Sequence, residues 1–277
     1  MAAGTVRYVA TSGNDTNNDC TDSANPCLTI ANGTNQSNAG DTVEVAAGTY
    51  NEHVAISRDL TIAGAGAGST IVDGTNNGRV FDIGNVTVSI SDLTIQNGHA
   101  PDGASGADCN PTGQFCNADG VPGEAGGAIR ALTDGTLTLT DVTFSNNQGG
   151  DGGNGGKLNC SGGFTNCYSS GGSGGHGGAV EFFPVSGGKP GTAVVTDCIF
   201  TGNHGGAGGK AGTLNCTNGA TCSGSDGSLG FGGGIDSEFH QACTIKRSTF
   251  TGNSGSEGGA IMQLNVLLDV SDSTFAN

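Results

Sequence analysis

From Val88 onward the chain is a series of short segments in which apolar and polar side chains alternate, separated by turn residues. Alternation with period two marks a β-strand with one buried face. Three phrases recur in fixed order. The first is Val88-Ser89-Ile90, Leu137-Thr138-Leu139, Ala193-Val194-Val195, Cys243-Thr244-Ile245 and Leu268-Asp269-Val270. The second is Leu93-Thr94-Ile95-Gln96-Asn97, Val142-Thr143-Phe144-Ser145-Asn146-Asn147, Cys198-Ile199-Phe200-Thr201-Gly202-Asn203, Ser248-Thr249-Phe250-Thr251-Gly252-Asn253 and Ser273-Thr274-Phe275-Ala276-Asn277. The third is Gly126-Gly127-Ala128-Ile129, Gly177-Gly178-Ala179-Val180, Gly233-Gly234-Ile235 and Gly258-Gly259-Ala260-Ile261. Three short strands per repeat describe one coil of a solenoid.

The expected fold is therefore all-β: a right-handed, single-stranded parallel β-helix with three strands per coil. One domain spans 1–277, with 1–45 as N-terminal strand and capping segment and 46–277 as coils. Stacking coils at about 4.8 Å predicts one interior column of Ile95, Phe144, Phe200, Phe250 and Phe275, and another of Ile90, Leu139, Val195, Ile245 and Val270. Asn97, Asn147, Asn203, Asn253 and Asn277 fall where the second strand ends. Asparagine tolerates the left-handed conformation, so an internal asparagine ladder is expected there. Thr42-Val43-Glu44-Val45, His53-Val54-Ala55-Ile56, Leu60-Thr61-Ile62, Thr70-Ile71-Val72 and Arg79-Val80-Phe81-Asp82-Ile83 extend the pattern in less regular coils. Residues 26–38 suggest a short amphipathic cap helix with Leu28 and Ile30 facing the first coil, although Gly33 weakens it. At the other end Phe275-Ala276-Asn277 stops in mid-coil, an open edge suited to end-to-end association.

Three coils carry inserts of one plan, at about 98–125, 148–176 and 204–232. Each has an outgoing glycine-rich arm, a tip with two cysteines and a returning glycine-rich arm. Glycine recurs with period three, as in Gly149-Gly150-Asp151-Gly152-Gly153-Asn154-Gly155-Gly156-Lys157. Period three is that of the polyproline II helix, so the expectation is six antiparallel polyglycine-type rods packed as a slab beside the coils. Flexible glycine linkers are the competing reading.

Composition sharpens this picture. Glycine supplies 54 of 277 residues, which would suggest disorder were the glycines not periodic. The formal charge of −16, with only nine Lys and Arg, excludes nucleic acid as a partner. No apolar run is long enough for a membrane span, so this segment is not expected to insert into a membrane. Met1-Ala2-Ala3-Gly4 has neither a charged nor an apolar leader region, and a mature segment behind an added Met1 is expected. Eight cysteines form the local pairs Cys20/Cys27, Cys109/Cys116, Cys160/Cys167 and Cys216/Cys222. Disulfides in an oxidising, extracellular compartment are expected, since these spacings do not suit zinc. Cys198 and Cys243 are expected to be buried free thiols.

Candidate chemistry is sparse. Thr94, Thr143, Ile199, Thr249 and Thr274 face outward on the Phe-containing strand and offer no useful ionisation. Arg130, Glu181 and Asp236 form an outward column on the third strand. Glu181 and Asp236 are the candidate catalytic carboxylates of a glycosidase, with a cross-coil pair to Arg130 as the competing explanation. Gly175-His176-Gly177 resembles a polygalacturonase motif but lacks the companion motifs. Asp92, Asp141, Asp197 and Asp272 recur at one bend with Arg247 between the last two. Arg247 can relieve their repulsion, and a cation can do so between Asp92 and Asp141. Asp15-x-Asn17-x-Asp19 starts like a calcium loop without its glycine and terminal glutamate. Apart from Ca²⁺ at these metal candidates, no cofactor is expected.

The Phe-x-x-Asn phrases (Phe144–Asn147, Phe200–Asn203, Phe250–Asn253) and the Gly-Gly-Ala phrases (Gly126–Ile129, Gly177–Val180, Gly258–Ile261) resemble the paired motifs of the polymorphic outer membrane protein family. The stretch from Tyr8-Val9-Ala10-Thr11 through Pro26-Cys27-Leu28-Thr29-Ile30 to Gly40-Asp41-Thr42-Val43 resembles the opening of secreted pectate-lyase-like bacterial β-helices. The arms resemble the polyglycine II bundles of glycine-rich antifreeze proteins and phage tail adhesins. These resemblances imply a secreted or cell-surface structural or adhesin module. Its partners would be glycans or proteins of a host or neighbouring cell. A polysaccharide lyase or glycoside hydrolase is the alternative, and ice binding by the slab a third.

Overall fold

The computed structural model describes residues 4–110, 115–132, 134–161, 166–183, 185, 191–238, 242–264 and 267–277. Met1, Ala2 and Ala3, and with them the reading of the leader, lie outside the described residues. The chain forms a right-handed parallel β-helix whose coils have three strand faces, termed sheets I to III, the first two continuous through Val88–Gln96 and Thr136–Ser145. Sheet I stacks Val6–Val9, Asp41–Val45, Leu60–Gly64, residues 88–91, residues 136–140, Thr192–Thr196, Ala242–Lys246 and Leu267–Ser271. Sheet II stacks Gly48–Asn51, Thr70–Asp73, residues 94–96, residues 143–145, Ile199–Thr201, Thr249–Thr251 and Thr274–Ala276. Sheet III stacks Val54–Ile56, Phe81–Ile83, Ile129–Leu132, Val180–Phe183, Ile235–Glu238 and Ile261–Leu264.

Strands Val88–Gln96 and Thr136–Ser145 run through the first bend without a break. They turn on one residue at positive φ, Asp92 (58°) and Asp141 (53°), as do Asp197, Arg247 and Asp272 in the same column. Asx side chains tolerate this conformation better than most L residues. The recurrent aspartate thus has a backbone reason to be there.

Inside, Phe144, Phe200 and Phe250 stack face to face, and Phe275, 49% exposed on the last coil, continues the stack, with ring centroids 4.6, 4.5 and 5.0 Å apart. Ile95 and Val72 continue the column downward. Ile62, Ile90, Leu139, Val195, Ile245 and Val270 form the parallel column on sheet I. Cys198 and Cys243 are buried free thiols, and burial pushes both pKa values up to about 12.

The asparagine ladder is shorter than expected. Asn147 donates from its main chain (3.0 Å) and its amide (2.9 Å) to Asn203 Oδ1, and Asn203 does the same to Asn253. Asn147 Oδ1 accepts from the Gly98 N–H, so Gly98 occupies the ladder position in the preceding coil. Asn97 sits one residue earlier, at positive φ in the column of Asn146, Gly202 and Gly252. Its spacing from Ile95 is one residue shorter than in the later coils, and Asn277 is offset from Phe275 in the same way.

The cap helix is Ile30–Gln36, with Thr29 as N-cap. Ile30 is buried against the first coil, whereas Leu28 is 42% exposed, because it precedes the helix and leaves by the opposite side. Gly33 is there for packing: a Cβ would come within 2.7 Å of Val9 Cγ2 and 3.0 Å of Val43 Cγ1.

The three inserts form a double layer. Within the outgoing layer, Gly103 and Gly106 donate to the carbonyls of Asp151 and Asn154 (2.7 and 2.8 Å). Gly152 and Gly155 donate to those of Ala207 and Lys210 (both 2.8 Å). Between layers a continuous series runs from Gly227 to Gly209, Gly172, Gly153 and Val121, each N–H donating to the next carbonyl at 2.8–2.9 Å. Along the middle insert two of every three residues thus point a main-chain N–H at a neighbouring arm. Several of the remaining N–H groups face outward and are capped by side chains from adjacent arms: Asp151 by Asp102, Lys157 by Asp108, Lys210 by Asn154 and Ala211 by Asp226. The tips are closed by the disulfides Cys109–Cys116, Cys160–Cys167 and Cys216–Cys222, and Cys20–Cys27 closes the N-terminal loop. Leu158, Ala118 and the tip cysteines form a second, small apolar cluster.

Candidate functional site

The outer face of sheet III, where the slab meets the coils, gathers the densest set of charges. Asp82, Arg130, Glu181 and Asp236 occupy equivalent positions on consecutive coils. Arg130 reaches toward the N-terminal coils, with Nε and Nη2 on Asp82 at 3.0 and 2.8 Å. Its Nη1 donates to Glu124 Oε2 on the first returning arm at 2.8 Å. Arg79 donates to the same carboxylate oxygen (2.8 Å) and to the Gly126 carbonyl (2.9 Å). Hydrogen bonding to Asp82 raises the pKa of Arg130 beyond its ordinary value.

The expected cross-coil pair therefore exists with a different partner. The Arg130 guanidinium is committed to Asp82 and Glu124, and Glu181 acts on it as a neighbouring negative charge. Glu181 is only 6% exposed and Asp236 is fully buried. His176, from the returning arm of the second insert, lies over Asp236 with Nδ1 3.1 Å from Oδ2, and its ring rests on Phe231 with centroids 4.5 Å apart. Neither Asp236 oxygen has an aligned hydrogen-bond donor. The carboxylates proposed as a glycosidase pair thus lie in the joint between slab and coils.

At the first bend, Arg247 clamps Asp197 with two hydrogen bonds of 2.7 and 2.6 Å. These hold the Asp197 carboxyl below the usual carboxylate range. Asp272 bears on Arg247 through charge alone. Asp15 accepts the N–H groups of Leu28 (2.7 Å) and Thr29 (3.2 Å) on one oxygen and the Thr29 hydroxyl (2.7 Å) on the other, which fixes the helix start. Asp19 turns to the Thr21 hydroxyl and N–H, which lower its pKa, and Asn17 is a turn residue with φ 53°. Among the described residues, no three metal-ligating groups of the His, Cys, Asp and Glu type converge at Asp15, Asp19, Asp92 or Asp141.

A step forms where the first insert rises from the coils, because the earlier coils carry no arm. One cavity of 350 Å³ lies against His53, Ala55, Arg79, Asp82 and Pro101. A neighbouring one of 220 Å³ lies against Asn76, Asn77, His99 and Asp102. Beside it, ligand atoms of His99, Asp102 and Asp151 lie within 4.8 Å of one another. The sequence reading does not pick out this trio. Its signal is the phase of the arms: His99 and Gln148 are bridged across coils, so Asp102 and Asp151, each three residues further on, share a column.

Fold and joint define the chain as a parallel β-helix protein bearing a hydrogen-bonded lateral slab. Among solved structures it is similar to pectin methylesterase PemA from Erwinia chrysanthemi, at TM-score 0.38 and 12% identity over 93% of this chain and 80% of that one. It is also similar to a rhamnogalacturonan lyase (TM-score 0.33, 12% identity, 98% and 87% covered). A third is a polygalacturonase from Erwinia carotovora ssp. carotovora (TM-score 0.25, 12% identity, 99% and 96% covered). At these scores the likenesses leave activity and substrate open. No protein-family model and no curated protein matches the chain, so the resemblance to the polymorphic outer membrane proteins finds no support there.

Proposed function

We propose that the chain is a non-catalytic, extracellular structural or adhesive module, secreted or held at a cell surface, whose slab is a polyglycine II-type bundle. The observation that carries this reading is the burial of Glu181 and of Asp236, the latter beneath His176 of the returning arm. A glycosidase must present its acid and base to a sugar ring, and a lyase needs a free cationic base beside its carboxylates. The two arginines beside these carboxylates, Arg79 and Arg130, are both engaged with Glu124. Four disulfides fit an oxidising compartment. No helix among the described residues is long and apolar enough to cross a membrane.

The outward faces of sheets I and II carry short hydroxyl runs. Ser89 and Thr138 are neighbours on sheet I, with Val194, Thr244 and Asp269 following in the same row. On sheet II the pairs Thr94–Thr143 and Thr249–Thr274 flank Ile199. Neighbouring hydroxyls about 4.8 Å apart suit glycans or a neighbouring protein surface.

The test is release of reducing ends or unsaturated products from a panel of acidic and neutral polysaccharides, run beside glycan-array binding by the intact chain. Binding without turnover is expected. Turnover that disappears in Glu181→Gln overturns the proposal in favour of a carbohydrate-active enzyme.

A further inference from the structure

The geometry points to a divalent transition-metal site formed by His99, Asp102 and Asp151 at the root of the slab, an inference independent of the proposed function. His99 Nε2 is buried and makes no aligned hydrogen bond, although Asp102 Oδ1 is only 3.1 Å away. Two ligand atoms set tetrahedrally around an ion at roughly 2.1 Å lie about 3.4 Å apart, a few tenths of an ångström from this separation. One ligand atom from each of the three side chains falls within a sphere of 4.8 Å mutual distance.

The carboxylates are already oriented. Asp102 Oδ1 accepts the Asp151 N–H at 2.7 Å, and Asp151 Oδ1 accepts the Ala207 N–H at 2.8 Å and the Gln148 amide at 2.7 Å. Hydrogen bonds of this kind fix ligating carboxylates in metal sites. They also hold two like charges side by side on adjacent arms, a repulsion that a cation removes. One imidazole nitrogen with two carboxylates suits Zn²⁺ or Mn²⁺ better than Ca²⁺, which prefers six to eight oxygens. Remaining coordination positions would open on the cavity beside Asn76 and Asn77.

The molecule supplies its own control. His204 is bridged to Gln148 as His99 is, but the residue three positions on is Ala207, so its own arm supplies no carboxylate at the place of Asp102.

The experiment is titration of the full chain with ZnCl₂ by calorimetry, repeated with MnCl₂ while following the Cε1–H resonances of the five histidines. One ion per chain is expected, with Mn²⁺ broadening His99 first. Affinity should fall at least about tenfold in His99→Gln and in Asp102→Asn, and stay unchanged in His204→Gln. Asp102→Asn keeps an oxygen for the Asp151 N–H, so its metal-free unfolding temperature should match that of the parent chain. Absence of stoichiometric binding overturns the site, and so does equal weakening in His204→Gln. A His99 that titrates as a simple ion pair with Asp102, indifferent to metal, overturns it as well.

Discussion

The coils and the slab are one chain built on opposite principles. In the coils, side chains fill the interior and the backbone stays near the surface of the tube. Phe144, Phe200 and Phe250 are fully or almost fully buried and stack at about the spacing of the strands. In the slab the backbone itself is the interior. A Cβ on Gly153 would lie 2.0 Å from the Ala104 carbonyl oxygen, and one on Gly175 1.7 Å from that of Glu124. Apolar contact tolerates exchange among side chains of similar volume, whereas a packed main chain tolerates no side chain at all. The coils can therefore vary in sequence from turn to turn, and the arms must repeat glycine in phase.

The largest effect should come from breaking the side-chain interior. Phe200→Ala removes the middle of a stack with rings on both sides and should cost about 3–5 kcal/mol, measured by chemical denaturation with the disulfides intact. A loss under about 1 kcal/mol, far below the large-to-small range, would mean the column is not the core.

Gly153→Ala tests the other half. The added methyl displaces the arm from Ala104 and strains the N–H bond from Gly153 to Val121, an overpacking cost of about 1–3 kcal/mol. The damage should be local: amide exchange should accelerate at Gly172, Gly153 and Gly209, while amides of the Phe200 column keep their protection. Equal loss of protection in both regions would show that slab and coils unfold as one unit, and the contrast drawn above would fail.

The same contrast explains what was legible in the sequence. Period-two alternation and repeated phrases locate all three sheets and both interior columns, because strand register follows directly from which residues must point inward. The asparagine ladder differs from expectation in two coils because Ile95 and Phe275 are each followed by one residue fewer before the asparagine than Phe144 is. Leu28 was misassigned because an apolar residue just before a helix need not share its buried face. The charge cluster is a different matter. The column of Arg130, Glu181 and Asp236 follows from register, but its burial does not. Over Asp236 lies His176, which arrives from an arm whose path no local pattern specifies. Asp102 and Asp151 are 49 residues apart and meet only because the arms pack in phase.

The smallest predicted effect concerns how the slab edge satisfies its outward N–H groups, a problem the coils solve by strand pairing. The Ala211 N–H donates to Asp226 Oδ1 at 2.8 Å, and Lys210 Nζ lies 3.1 Å from the other oxygen. The Ala211 N–H bond first, and Lys210 second, hold the Asp226 carboxyl below the usual aspartate range. A depressed folded value means that the interaction is fully present above the unfolded aspartate pKa and is lost as pH falls through the folded one. The Ala211 amide resonance should therefore titrate with a midpoint below that of a free aspartate. Asp226→Asn keeps an oxygen acceptor but no ionisable group, so its Ala211 resonance should stay flat over the same range. Because the pair is exposed, the overall unfolding midpoint should barely move. An Ala211 resonance in the parent chain that ignores pH would show that the edge N–H is left to solvent, and that side-chain capping is not how the slab closes.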